Sequence, residues 1–223
     1  MPTATLNPDF DAGVRHSGTT NWNTSVAGNG TAIDTSAGIT FEQAVYSGNY
    51  VCSRLYTRWD VSSIPTSSTI TSAVISFYMD STRGSQTGVS VMKLFKSDNI
   101  TDSDATLYQS ITSTASNTTT DVGTGTGYKT LTIDGDLLPV LQNAVSAGSK
   151  FGCLMRASTD YDNDSVSDPT IVNYRGFQLD NAANPPILYI TYTAPAKTAT
   201  DLSIKNGTII IKNGTVTLKQ NET

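Results

Sequence analysis

A chain of 223 residues can form one β-sandwich of about 200 residues or two small domains. Only 15% of the residues are charged, and 35 Thr and 25 Ser give a hydroxyl-rich composition that is typical of extracellular and virion β-proteins. The net charge of −5, without a basic stripe, excludes nucleic acid as a partner. No apolar run approaches the ~18 residues of a membrane span, so membrane insertion is excluded as well.

Strand signals alternate with turn signals along the chain, which favours a sandwich or a barrel. Residues 55–61 alternate so that the odd-numbered side chains, Trp59 among them, face one way. The odd-numbered residues of the segment 73–79 form a second inward row. We therefore predict that Trp59 belongs to the core and is not a ligand platform. Further strands are predicted over residues 89–95, 128–133, 151–157, 170–177 and 187–193.

One helical pattern interrupts these strands. Leucine, alanine and valine recur at helical spacing in residues 135–147, with Pro139 suited to the first turn and Gly148 to the end. Residues 110–127, rich in Thr, Ser and Gly, predict a loop or a weak edge strand. The predicted fold class is therefore all-β, a jelly-roll-like antiparallel β-sandwich with one short helix.

Two neighbouring segments carry a family resemblance. Residues 54–65 read RLYTRWDVSSIP and residues 70–78 read ITSAVISFY. Together they resemble the core of DNRLRE-type domains, in which an aromatic-Asp-aliphatic-Ser-Ser-Ile-Pro turn precedes a strand. The segment PPILYITY at residues 185–192 is similar to the last strand of that family. The resemblance implies a jelly roll like those of carbohydrate-binding modules, found in bacterial surface proteins and phage virion proteins and without catalytic residues.

The C-terminal part contains a seven-residue repeat. Residues 204–209 (IKNGTI) recur as residues 211–216 (IKNGTV), and Asn-Gly between strand-like runs is the strongest short signal for a two-residue hairpin turn. We therefore predict a three-stranded β-meander over residues 201–223. A linker of residues 194–200 joins it to a sandwich of residues 1–193.

Two-residue turns determine which residues of this meander share a face. One face is apolar throughout, whereas the other is polar at all but one position. A small sheet with a bare apolar face must cover it, either on its own sandwich or on other subunits or a scaffold. We favour the second arrangement, in which the face serves attachment or self-association, for example as a trimer. The apolar face consists of Leu202, Ile204, Ile209, Ile211, Val216 and Leu218.

A run of aspartates at alternating positions is a candidate metal site. Hard cations such as calcium bind several carboxylate oxygens on one loop. Ser165 and Ile171 stand where the helix–loop–helix calcium pattern requires Gly and Glu, so two readings remain: structural calcium between strands of the sandwich, or a solvated acidic loop. No other cofactor is predicted. The candidate ligands are Asp160, Asp162, Asp164 and Asp168.

Residues that commonly carry catalysis are few. His16 is the only histidine, and its polar surroundings predict a surface position, so we predict no catalytic residue and no enzyme. Cys52 and Cys153 each fall in a predicted strand; we expect two buried thiols, with a bridge between the strands as the alternative. The aromatic residues in predicted loops or strand ends, which sequence cannot divide between sugar platform and packing, are Trp22, Tyr46, Tyr50, Tyr108 and Tyr161.

Two hypotheses of function follow from these observations. The first is a non-enzymatic structural protein on a virion surface, as a capsid decoration protein, head fibre or tail fibre of a phage. Its partners would be further copies of itself, other virion proteins and, as a further candidate, cell-surface glycan. The lack of a signal sequence after Met1 favours this hypothesis. The alternative is a carbohydrate-binding module of an extracellular bacterial surface protein or enzyme.

Overall fold

The protein is all-β, with a few short helices, and the strands pair antiparallel throughout the described residues. This confirms the predicted antiparallel β-sandwich. The computed structural model describes residues 1–36, 38–83, 91–97, 105–110, 115–123, 125–162, 172–178, 182–195, 201–205 and 208–212.

The strands and helices are numbered in chain order. The strands are β1 (Thr3–Leu6), β2 (Phe10–Thr19), β3 (Ala32–Asp34), β4 (Gly38–Tyr46), β5 (Asn49–Asp60), β6 (Thr69–Arg83), β7 (Val91–Lys96), β8 (Thr120–Asp121), β9 (Gly127–Thr132), β10 (Lys150–Ala157), β11 (Val172–Gln178), β12 (Ile187–Thr193), β13 (Asp201–Lys205) and β14 (Thr208–Lys212). The helices are α1 (Trp22–Ala27), α2 (Leu137–Ala147) and α3 (Ser158–Tyr161), with a 3-10 helix at Ala105–Gln109.

Two long strands organise the sandwich. In one layer, β6 pairs with β9 along one edge and with β12 and then β11 along the other, and β1 pairs with β12. In the second layer, β5 pairs with β2 along one edge and with β4 and then β10 along the other, and β7 and β8 follow β10. Pairing of β11 with β4 joins the layers, so hydrogen bonding runs continuously from one layer to the other.

The main hydrophobic core lies between these two layers. Alternate residues of β5 and β6 point into it, as the period-two pattern of the sequence predicted. Trp59 is fully buried and stacks on Phe151, with ring centroids 6.2 Å apart and an angle of 22° between the ring planes. The prediction of Trp59 as a core residue is therefore confirmed. The inward row of β6 consists of Ala73, Ile75, Phe77 and Met79.

Helix α2 closes one end of this core. Leu137, Leu141 and Val145 recur every four residues, and all three side chains are buried. Gly148 ends the helix in the left-handed region at φ 58°, where its N–H donates to the carbonyls of Ala144 and Val145. Glycine adopts this conformation without steric cost. The predicted helix is thus confirmed, and it starts two residues later than expected.

A second hydrophobic cluster lies on the opposite face of β5. Helix α1 and the 3-10 helix cover this face, so the β2–β5–β10 layer is buried on both sides. Tyr56, which the alternation placed opposite Trp59, is therefore buried as well. The members of the cluster are Val14, Trp22, Cys52, Tyr56, Leu107, Tyr108 and Leu154.

The first fifty residues contain structure that the sequence did not predict. They form strands β1 to β4 and helix α1. His16 lies in β2 rather than in a surface segment, half-buried, with its ring 6.2 Å from that of Tyr108 and hydrogen-bonded to the carbonyl of Asn29. Gly28 leaves no room for a side chain, because a Cβ atom at that position would lie 2.6 Å from the backbone carbonyl oxygen of Thr24 and 2.5 Å from Cε1 of His16.

Candidate functional site

The C-terminal hairpin is the first candidate site. Strands β13 and β14 form a sheet of their own, and their register pairs Leu202 with Ile211 and Ile204 with Ile209. Both pairings are those that a two-residue turn at the Asn-Gly pair requires, and they agree with the predicted membership of the apolar face. Directly opposed residues of an antiparallel pair share a face, so the register brings four of the six predicted apolar residues to one face. The other two, Val216 and Leu218, lie outside the described residues.

The acidic segment is the second candidate site, and its first aspartate occupies an unexpected position. Asp160 lies in α3, is fully buried, and binds two arginines. Arg54 of β5 donates from Nε to Oδ2 and from a terminal nitrogen to Oδ1, both at 2.8 Å. Arg156 of β10 donates to the same two oxygens at 2.9 and 2.8 Å. Two bidentate pairs therefore share one carboxylate.

The electrostatics of this triad favour its charged form. Burial by itself would raise the pKa of Asp160, but the charges and hydrogen bonds of Arg54 and Arg156 outweigh burial and lower it. Burial likewise opposes the charge on Arg54, and the attraction of Asp160 nevertheless raises the pKa of the guanidinium. Asp160 is therefore a carboxylate and both of its partners are cations.

The same arginine holds the covering helices onto β5. Arg54 donates to the carbonyl of Val26 at 2.9 Å and to the carbonyl of Tyr108, and its guanidinium lies 3.9 Å from the centroid of the Tyr108 ring. The hydroxyl of Tyr108 donates to the carbonyl of Ser25 at 2.8 Å. The triad therefore connects β5, β10 and α3 to the end of α1 and to the 3-10 helix.

The calcium prediction is affected by this arrangement. Asp162 is exposed at the end of α3, two residues from the buried carboxylate of Asp160, and Asp164 and Asp168 lie outside the described residues. Within the part of the chain that is described, no group of three or more His, Cys, Asp or Glu side chains could hold a metal ion. Both oxygens of Asp160 already accept two hydrogen bonds each, so a calcium site would depend on the other three aspartates and remains a prediction.

The aromatic residues divide into packing and surface groups. Trp22 and Tyr108 are buried in the second cluster, so they are core residues and not sugar platforms. The ring of Tyr161 lies against Phe95, with 5.9 Å between centroids, and Tyr50 packs edge-on against Trp22. Of the five candidate aromatic residues, Tyr46 is the one that is largely exposed to solvent, and its hydroxyl donates to Oε2 of Glu42 at 2.7 Å.

Three other tyrosines share the outer face of the β1–β12–β6–β9 layer. The register places Tyr128 of β9 opposite Tyr78 of β6, and their rings meet edge to face at 5.1 Å and 80°. Tyr189 of β12 pairs with Val74 on the same side of β6. Tyr128 is 55% exposed and Tyr189 is 44% exposed. We call this surface, defined by Tyr78, Tyr128 and Tyr189, the tyrosine face.

A cleft of about 370 Å³ lies beside α2 and the start of β10. Lys96, Asn143 and Lys150 contribute polar groups to it, next to Phe151. The ammonium of Lys150 forms an ion pair with Asp9, which offsets its charge. We assign no ligand to this cleft.

The two cysteines are free thiols in separate clusters. Cys52 belongs to the second cluster and Cys153 to the main core, on opposite faces of β5. The register pairs Cys153 with Thr57, five residues from Cys52. The predicted buried thiols are confirmed, and the alternative of a bridge is wrong. Burial, the largest cause, raises the pKa of Cys52 to about 12.

In comparisons with known proteins, no family model matches the chain and no curated protein matches it. The resemblance to DNRLRE-type domains therefore rests on the residues that carry it. Among the helices of the described residues, none has the length and apolar character needed to cross a membrane.

Proposed function

We propose that the protein is a non-enzymatic structural component of a virus particle surface, as a capsid decoration protein, head fibre or tail fibre of a phage. In this proposal the β-sandwich is the exposed body, and residues 201–223 attach it to other virion proteins or to further copies of itself. The observation that carries the proposal is the register of β13 and β14, which opposes Leu202 to Ile211 and Ile204 to Ile209.

The energetics of a small sheet support this assignment. A two- or three-stranded sheet is marginal by itself in water, and burial of one isoleucine or leucine side chain contributes about 1.5–3 kcal/mol. Covering a face with four paired apolar residues therefore supplies a substantial association energy. The resemblance of residues 54–65 to domains of phage virion proteins, and the hydroxyl-rich composition with 15% charged residues, also favour a particle surface.

The experiment compares two lysine substitutions at adjacent positions of β14. The register places residue 209 on the apolar face and residue 210, paired with Ser203, on the opposite face. Ile209→Lys should abolish self-association and binding to the particle, whereas Ile210→Lys should leave both unchanged. Light scattering after size exclusion and co-sedimentation with particles measure the two properties. Equal behaviour of both variants, or full assembly of a chain ending at residue 193, contradicts the proposal.

A second candidate function is a carbohydrate-binding module of a secreted bacterial surface protein or enzyme. The exposed Tyr128 and Tyr189 favour it, because aromatic rings are the usual contact surface for sugars. Genomic context discriminates the two: neighbouring genes for capsid, portal and tail proteins support the virion component, and an upstream signal peptide supports the module.

A further inference from the structure

We infer that the tyrosine face binds an uncharged polysaccharide and is the adhesive surface of the particle protein. This inference rests on the proposed function, which exposes the sandwich on the surface of a particle. The polysaccharide is the target to which that exposed sandwich would adhere. Tyr78, Tyr128 and Tyr189 lie on the outer side of three neighbouring strands, β6, β9 and β12. Their positions are therefore defined by the strands and not by loops.

Two of the rings are held in place before any ligand arrives. Tyr78 and Tyr128 contact each other edge to face, and the hydroxyl of Tyr128 donates to Oδ1 of Asn184 at 3.1 Å. A side chain already restrained in this way loses little conformational entropy on binding. Its ring can stack on the apolar C–H face of a pyranose, while the hydroxyl group remains polar at the rim.

The surroundings of the rings are hydroxylated and almost uncharged. At the outward positions of residues 3–6, 72–80, 127–132 and 187–193, Asp80 is the one charged residue, and the aliphatic residues are Val74 and Ile187. Such a surface offers hydrogen bonds without attracting either sign of charge, which suits a neutral, hydroxyl-rich ligand. The hydroxyl-bearing residues around the tyrosines are Thr3, Thr5, Ser72, Thr130, Thr132 and Thr191.

The spacing of the rings indicates a ligand longer than one sugar. Tyr189 pairs with Val74, and Tyr78 lies four residues further along β6. At about 3.3 Å per residue these contacts are roughly 13 Å apart along the strand. A polysaccharide chain lying across β12, β6 and β9 can touch both ends, whereas a monosaccharide can touch only one.

The experiment measures retention of the full chain by affinity electrophoresis in gels that contain single polysaccharides. The neutral panel is glucan, mannan, xylan and galactan, and the charged panel is hyaluronan and polygalacturonate. Tyr128→Ala and Tyr189→Ala are the test variants. Tyr46→Ala is the matched control, because Tyr46 is 43% exposed and lies on β4, outside this layer. Thermal melts of all variants verify that each is folded.

We expect at least one neutral polysaccharide to retain the wild type. The affinity for it should be about tenfold lower in each test variant, because a stacked ring has been lost. The affinity of Tyr46→Ala should equal that of the wild type. Retention by no neutral polysaccharide, retention by charged polysaccharides alone, or an equal loss in Tyr46→Ala overturns the inference. So does binding of the face to a purified particle protein with no binding to sugar. These outcomes leave the assembly test at Ile209 untouched, so failure of the two proposals can be distinguished.

Discussion

Replacement of Asp160 by Asn tests the buried triad most directly. The native carboxylate accepts four hydrogen bonds of 2.8–2.9 Å from Arg54 and Arg156. An asparagine keeps one accepting oxygen and presents an NH₂ group to the other guanidinium nitrogens, so at least two of these bonds are lost. Two cations then face each other without a counter-charge, in a site where the side chain of Arg54 is 2% exposed.

Breaking one partner of a buried ion pair costs about 3–5 kcal/mol, out of about 5–15 kcal/mol for a whole domain. For a domain of this size each kcal/mol lowers Tm by about 2–4 °C, so Asp160→Asn should melt roughly 6–20 °C below the wild type. Circular dichroism during heating measures this. Asp162→Asn is the matched control, since Asp162 is exposed two residues away and its substitution should shift Tm by little. Equal melting of the two variants refutes the reasoning.

The remaining predictions concern acid, the core, calcium and the thiols. The pKa of Asp160 is lowered on folding, so the stabilisation by its charge is complete above the unfolded pKa of about 3.9 and is lost as pH falls through the folded pKa. Urea titrations should therefore show that the free energy of unfolding falls more steeply below about pH 4 in the wild type than in Asp160→Asn. Equal slopes in the two proteins contradict this. Trp59→Ala should cost about 3–5 kcal/mol in the same urea titrations, and a stable variant that had lost sugar binding would overturn its placement in the core. If Asp164 and Asp168 help to bind calcium, a chelator should lower Tm in the wild type and not in their double Asn variant, whereas an unchanged wild-type melt leaves a solvated loop. Cys52 and Cys153 should react with a thiol reagent only after unfolding in guanidinium, and thiols titrated in the native state would contradict their burial.

Local periodicity accounts for the parts of the fold that could be predicted. Strand β12 has the predicted limits 187–193, and the inward row of β6 follows from simple alternation. The Asn-Gly pair at positions 206 and 207 was equally informative, since a two-residue turn predicted there gives the pairing that β13 and β14 have. Each of these signals depends only on residues within a few positions of one another, so a single sequence contains all the information that the prediction needs.

Strand β2 shows why other parts could not be predicted. Residues Asp11, Ala12, Gly13 and Val14 are all buried, because β2 belongs to the layer that is covered on both faces. A strand buried on both sides has no alternation of polar and apolar residues, and the small residues of β2 do not form an apolar run that would replace it. The period-two signal was therefore absent where the strand is most enclosed.

The acidic segment shows a different limit. Aspartates at positions 160, 162 and 164 form a pattern typical of a cation-binding loop, but the charge of Asp160 is neutralised by Arg54, 106 residues earlier in the chain. Neither residue differs in type from an ordinary surface charge. Their pairing is a property of the packed layers, and only Arg156, four residues before Asp160, is close enough in sequence to suggest it.

The covering helices also determine which surface of the sandwich can meet a ligand. Helix α1 and the 3-10 helix lie over the outer side of β5 and bury Trp22 and Tyr108, two of the aromatic residues that could have served as a platform. The other layer has its regular outer surface exposed at Tyr128 and Tyr189. Exposed rings on a sheet forgo hydrophobic stabilisation, and the polysaccharide that we propose for the tyrosine face would bury the rings of Tyr128 and Tyr189. The triad of Arg54, Asp160 and Arg156 therefore has an indirect consequence for the inferred binding surface. It holds the helices over the outer side of β5, so the outer side of the other layer is the one on which we propose adhesion.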